Sequence, residues 1–117
     1  MSSDLEILRT ASALISHSAQ RQSVIATNVA HADTPGYRAR DVVPFAEVLA
    51  RGLPETGRGA FALRNPDTPG TVSPDGNSVT LEDQMVRGVE AQRAHSRALT
   101  IYGHSIDILR LALGRGR

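Results

Sequence analysis

Apolar residues in the first thirty positions of the chain return every three or four residues, and they do not alternate. Leu8, Ala11, Ile15, Ser18, Gln22, Ile25 and Val29 stand at alternating spacings of three and four, and most of them are apolar. Leu81, Met85, Gly88, Gln92, His95, Leu99, Tyr102, Ile106, Leu109 and Leu113 follow the same rhythm near the other end. A repeat of 3.5 residues is that of a coiled-coil seam. The pattern predicts two long helices, over about 4–32 and 80–113, of roughly 43 and 50 Å at 1.5 Å per residue.

Between them, residues 33–77 hold all six prolines and most of the glycines, so this middle reads as irregular. Asp33-Thr34-Pro35-Gly36 and Asp67-Thr68-Pro69-Gly70 each read as a tight turn, with glycine taking positive φ at the third position. Pro44 is a good first helical residue, which predicts a short helix over about 44–51. From 52 to 77 the composition argues for a mobile or extended loop with a brief strand at 60–63. Ser78 or Thr80 is placed to cap the last helix, with Glu82 and Asp83 against its positive end. The fold expected is all-α: one domain over 1–117, with the terminal helices paired antiparallel around a Pro/Gly-rich middle.

Each seam carries a polar stretch, Ser18 and Gln22 in one and Gln92 and His95 in the other. Folded antiparallel, with Leu8 near Leu109 and Val29 near Met85, the two stretches meet halfway and fix the register at some cost in stability. In the alternative reading they face solvent or a neighbouring subunit.

The chain has 117 residues, no cysteine and a formal charge of +1. Disulfides, thiolate metal sites and cysteine nucleophiles are excluded. Bulk charge points to no partner, and the arginines form no basic stripe with stacking aromatics of the kind nucleic acid requires. Only four aromatic side chains are present, so the core must rest on Leu, Ile, Val and Ala. That favours a protein which completes its packing against copies or partners. The longest apolar run, residues 60–63, is far short of the roughly 18 residues that span a bilayer, and no membrane insertion is expected. The start of the chain lacks the basic and apolar regions of a secretory signal.

No active site is assembled by the pattern. His17, His31, His95 and His104 have no metal-binding spacing, Gly57-Arg58-Gly59 lacks the setting of a phosphate loop, and Ser16-His17 point about 100° apart on a helix. No enzyme, cofactor, metal or small-molecule substrate is expected.

The most informative run is Asn28, Val29, Ala30, His31, Ala32, Asp33, Thr34, Pro35, Gly36, Tyr37 and Arg38: a helix end with small residues, an immediate turn, then an aromatic beside a basic residue. Ala30 and Ala32 let another backbone approach closely, and Asn28 and Asp33 are suited to bind backbone groups at the helix end. The run resembles the signature of the flagellar axial proteins, the rod and hook subunits, in which Asn-x-Ala-Asn leads into Thr-Pro-Gly and an aromatic. His31 stands where that pattern has its second Asn. Arg38-Ala39-Arg40-Asp41, the later Asp75-Gly76-Asn77-Ser78-Val79, and Leu81-Glu82 with Met85 are similar to the proximal-rod type within the family.

The resemblance implies a structural subunit of the proximal rod, whose helices pair as a coiled coil in a hollow helical driveshaft that transmits torque and conducts exported subunits. It implies contacts with copies of itself, other rod proteins, membrane-ring and rod-base adaptor proteins and the flagellar type III export apparatus. The implied location is the basal-body rod in the periplasmic space, reached without a cleaved signal. Phe45 and Leu49 match the family's Phe-x-x-x-apolar export-gate element; as residues alone they are an i,i+4 contact on a short helix. The expected seam is Leu8, Ala11, Ile15, Ile25, Val29, Leu81, Met85, Leu99, Tyr102, Ile106, Leu109 and Leu113. The rivals are a coiled-coil adaptor or export chaperone, which gives no reason for residues 28–37, and a histidine phosphotransfer bundle, whose four long helices do not suit a middle holding all six prolines.

Overall fold

The computed structural model describes residues 2–53, 60–66 and 72–114. Helix α1 (Ser2–Ala30) is followed by strand β1 (Asp41–Val42), helix α2 (Phe45–Arg51), strand β2 (Leu63–Arg64) and helix α3 (Leu81–Gly114). The body measures 68 × 24 × 18 Å, because α1 and α3 lie side by side along its length. Gln22 bonds Gln92, Ser18 meets His95 and Asn28 bonds Gln84. Positions rise on one helix as they fall on the other, so the pair is antiparallel.

α1 stops at Ala30, two residues early. His31 and Ala32 bond back to Thr27, Asn28 and Val29, and Thr34 to His31, so the chain tightens into successive turns. The bond from the Tyr37 amide to the Thr34 carbonyl closes the Pro35-Gly36 turn, with Gly36 at φ 74°. The second Thr-Pro-Gly turn and Gly57-Arg58-Gly59 lie outside the described residues. Pro44 sits one place before α2, where its carbonyl accepts from Glu47 and Val48; α2 ends at Gly52, at φ 96°.

The brief strand lies slightly later than expected. β1 and β2 pair antiparallel, Asp41 with Arg64 and Val42 with Leu63, and the Val43 amide donates to the Ala62 carbonyl at 3.0 Å. At Phe61 the partner is a side chain. The Gln20 amide donates to the Phe61 carbonyl at 2.9 Å and accepts from its N–H at 2.8 Å, doing there what a neighbouring strand would do. Val42, Val43, Val48 and Phe61 form a small core on α1, flanked by Val24, Phe45 and Leu53.

The contact between α1 and α3 requires a correction. Ala11 is buried and Leu8, Ile15, Ile25, Ile106 and Leu109 are half-buried, but Val29, Leu81, Met85, Leu99, Tyr102 and Leu113 are exposed, Met85 by 71% and Leu113 by 70%. The buried row on α3 is Gln84, Ala91, Ala98 and Ser105, seven residues apart and one place before Met85, Gln92, Leu99 and Ile106. On α1 the same shift puts Asn28 inside and Val29 outside. Small side chains at the contact let the backbones approach closely, and the bulky ones are left on the flank. The two polar stretches nevertheless meet: Ser18 Oγ lies 3.0 Å from His95 Nδ1, and Gln22 donates to Gln92 at 2.9 Å.

Candidate functional site

The Asn28–Arg38 run and the Asp75–Val79 run, far apart in sequence, close on each other as a clasp at one end of the helix pair. Asn28 is 0% exposed. Its Nδ2 donates to the Arg40 carbonyl (2.8 Å) and to Gln84 Oε1 (3.0 Å), while its Oδ1 accepts from the Tyr37 hydroxyl (3.0 Å) and the Arg40 amide (3.1 Å). An asparagine side chain has two donors and two acceptor sites, and here all four are used. One residue thereby ties α1 to α3, to the returning chain and to the aromatic of the motif. It does not cap its own helix end, as its position in the sequence suggests.

Asn77 does that. Its Nδ2 donates to the carbonyls of His31 (2.8 Å), Ala32 (3.0 Å) and Thr34 (2.7 Å), and its Oδ1 accepts from the Val79 amide (2.7 Å). The carbonyls that a helix end leaves without intrahelical partners are satisfied from a distant segment. Ser78 is spent here too: its Oγ accepts from the Ala39 amide at 2.8 Å. Ser78 therefore does not cap α3, and Thr80 opens that helix, its carbonyl accepting from the Gln84 amide. The Gly36 amide donates to the Asp75 carbonyl at 2.9 Å. A Cβ on Gly76 would stand 3.5 Å from the Gly36 Cα, so the two glycine turns pass in van der Waals contact.

His31, at the family's Asn position, stacks on Tyr37 with ring centres 4.6 Å apart and planes 9° from parallel. Its Nδ1–H donates to the Thr27 carbonyl at 2.9 Å. The ring thus braces the tyrosine whose hydroxyl reaches Asn28. Ala32 is half-buried; Ala30, Asp33, Thr34, Pro35 and Gly36 are exposed on the tip. Asp33 makes no bond to any described residue.

Beside the clasp, Asp41 is buried between two arginines. Arg21 of α1 approaches it with two nitrogens, at 3.1 and 3.2 Å, and Arg87 of α3 at 2.6 Å. Arg87 also holds Asp83 at 2.8 Å, and Arg21 reaches Glu90 at 3.1 Å. Burial works to lower the Arg87 pKa, but the bonds to Asp83 and Asp41 outweigh it, and the net shift is upward. The charges cross-link three segments through bidentate geometry that lysine would not provide.

The export-element pair is split by the fold. Phe45 packs against the His17 ring, edge to face at 5.3 Å, while Leu49 is exposed. His17 is itself buried: its Nε2–H donates to the Val43 carbonyl at 2.7 Å, and Phe61 meets its other edge at 5.2 Å. Sequence reasoning missed the roles of His17, Gln20, Asp41, Asn77 and Gln84. Asp41 and Asn77 stood in the two family-like runs, which marked their positions but not their partners; Gln84 left a signal as the first member of the row completed by Ala91, Ala98 and Ser105. Among the described residues no group of three or more His, Asp or Glu side chains is placed to hold a metal.

No family model matches this chain. Among curated proteins it is 33% identical over 111 residues to the flagellar basal body rod protein FlgB of Salmonella typhimurium, covering 75% of this chain and 78% of that protein. It is 28% identical over 120 residues to the Yersinia enterocolitica FlgB, covering 84% and 86%. A stretch of 45 residues, 38% of this chain and 31% of the other, is 51% identical to the Escherichia coli FlgB. With the clasp motifs and the paired terminal helices, this similarity is decisive: the chain belongs to the FlgB family of flagellar basal body rod proteins.

Proposed function

We propose that this chain is a non-enzymatic structural subunit of the proximal rod, a single axial core domain that packs side by side with copies of itself and other rod proteins into a torque-bearing helical tube. The observation that carries the reading is the apolar flank of the helix pair. Val29, Leu81, Met85, Leu99 and Leu113 are exposed along a body 68 Å long. The surface is 7859 Å², where a compact 12.5 kDa monomer has about 6,200 Å² by the area–mass scaling. The excess, about 1,700 Å², is about twice the roughly 800 Å² that one partner buries in a standard interface, enough for more than one neighbour. Contacts that repeat with a helical rotation build an open filament.

The tube conducts exported subunits and stands in the periplasmic space, meeting the membrane ring and rod-base adaptor proteins at its foot. The subunit passes the type III export apparatus as an unfolded chain, read at Phe45 and Leu49. Before assembly its helix ends are frayed. A side-chain-resolution map of the basal body is expected to place this chain just above the membrane ring. Its absence from the rod, or a purified chain that stays a monomer with protected amides in both terminal helices at every concentration, overturns the reading.

A further inference from the structure

The middle segment fills only part of the furrow between α1 and α3. There Phe45 packs on His17, and Val42, Pro44 and Phe45 wall one side of a hollow of about 380 Å³ whose other side is Leu14, His17, Ala91 and Ala94, with Arg21, Asp41, Arg87 and Glu90 at its edge. Beyond Leu14 the furrow continues uncovered, as an apolar hollow of about 380 Å³ lined by Glu6, Ile7, Thr10, Ala11, Leu14 and Ile101, among others. At the opposite end of the molecule, Met85, Val86 and Val89 are exposed by 71, 59 and 52%. They form a ridge on the back of α3, turned away from α1, and Arg93 follows one turn later. Arg93 forms no ion pair with any described residue.

Building on the rod-subunit reading, we propose that this open furrow receives the Met85–Val86–Val89 ridge of a second copy of this chain, lying alongside with the same polarity. Three observations select that occupant. The furrow is walled mainly by Ile7, Ala11, Leu14 and Ile101, so it is suited to apolar side chains. Its far end carries Glu6, exposed, and the ridge ends in Arg93, one turn beyond Val89 on α3 as Glu6 lies one turn beyond Thr10 on α1. If Val86 sits by Leu14 and Val89 by Thr10, then Arg93 falls beside Glu6. The incoming α3 then runs antiparallel to α1, as the chain's own α3 does.

Within the chain, Gln22 pairs with Gln92 and Ser18 with His95; the docked register is shifted from this by about 13 residues, or roughly 20 Å. Furrow and ridge are different surfaces at different ends. The contact is therefore heterologous and leaves a free furrow and a free ridge on every pair, which propagates a filament.

The chain contains no cysteine, so introduced thiols report cleanly. Thr10→Cys and Val89→Cys are combined in the full-length purified chain, which is concentrated, oxidised and run on denaturing gels, with sedimentation of the unoxidised sample alongside. A ladder of trimers and longer species that needs both cysteines supports the docking. Glu6→Arg or Arg93→Glu alone is expected to cut the ladder roughly tenfold, and the two together to restore it. Dimers from either single-cysteine variant indicate a symmetric contact and overturn the proposal. Polymers in sedimentation without a ladder overturn it and leave the rod-subunit reading standing. A chain that never sediments above monomer overturns both.

Discussion

The two ends of the helix pair are built from the same two helices and opposite chemistry. At the clasp end the contact is polar and closed: Asn28 and Gln84 are buried to 0 and 1% exposure, and every hydrogen-bonding atom of Asn28 has a partner. At the other end Leu5, Ile7, Ile101, Ile108, Leu111 and Leu113 are exposed. Buried amides are directional and costly to leave unmade, so they specify one geometry within one chain. Apolar ridges are non-directional and serve whichever copy arrives. The clasp fixes where α3 starts relative to α1, and that fixed frame holds out the open furrow at one end and the Met85–Val86–Val89 ridge at the other to meet neighbours.

The comparison is most sharply tested at Asn28. Asn28→Ala strands the Tyr37 hydroxyl, the Arg40 amide and the Gln84 side chain at once. It is expected to destabilise the free chain by about 3–4 kcal/mol, read as a lower urea midpoint by circular dichroism. Leu111→Ser at the open end is expected to move that midpoint by no more than about 0.5 kcal/mol. Equal losses at both sites would remove the distinction between the ends. Next in size is Asp41→Asn, which leaves Arg21 and Arg87 without their shared carboxylate. About 2–3 kcal/mol is expected, at the low edge for buried pairs because both arginines keep some solvent, and added salt should shrink it. A loss that does not change with salt would mean that packing, not charge, holds that crossing.

How much of this could be read in advance differs by region for a physical reason. The two helices, their antiparallel pairing and the meeting of Ser18 with His95 and Gln22 with Gln92 follow from local periodicity, which is written in consecutive residues. The Pro35-Gly36 turn follows from backbone restrictions at two positions. The clasp does not, because Asn77 acts on carbonyls more than forty residues away and Gln20 acts on Phe61; such pairings leave no pattern in either neighbourhood. The seam misled for another reason. Apolar periodicity marks every face that will be buried, including those awaiting another molecule, so Met85 and Leu99 drew attention from the small residues beside them. The period-seven row of Gln84, Ala91, Ala98 and Ser105 was visible, but small residues weigh little on a hydropathy count.

Adjacent residues test that slip. Ala98 is 0% exposed and Leu99 is 49% exposed. Ala98→Leu is expected to overpack the contact and cost about 1–2 kcal/mol, while Leu99→Ala leaves the free chain within about 0.5 kcal/mol. If the seam ran through Leu99, the order would reverse, because truncating a buried leucine costs about 2–5 kcal/mol. In the assembled rod Leu99→Ala is expected to matter more than it does in the free chain, and the two measurements together separate contacts within a subunit from contacts between subunits.

The smallest effect belongs to the exposed pair that joins α2 to β2. Arg64 donates to Glu47 with two nitrogens, one of them at 2.8 Å. The hydrogen bond from Arg64 holds the Glu47 carboxyl below its ordinary value of 4.5, outweighing the opposing effect of desolvation. A carboxyl whose pKa is lower folded than unfolded contributes stability that is complete above 4.5 and is lost as pH falls through the folded value. The urea midpoint of the wild type is therefore expected to carry a shallow acid-side decline that Glu47→Gln flattens, without change near neutrality beyond the loss of the pair itself. Both groups stand in solvent, so salt screens the effect. A decline that survives unchanged in Glu47→Gln would assign the acid sensitivity to other carboxylates.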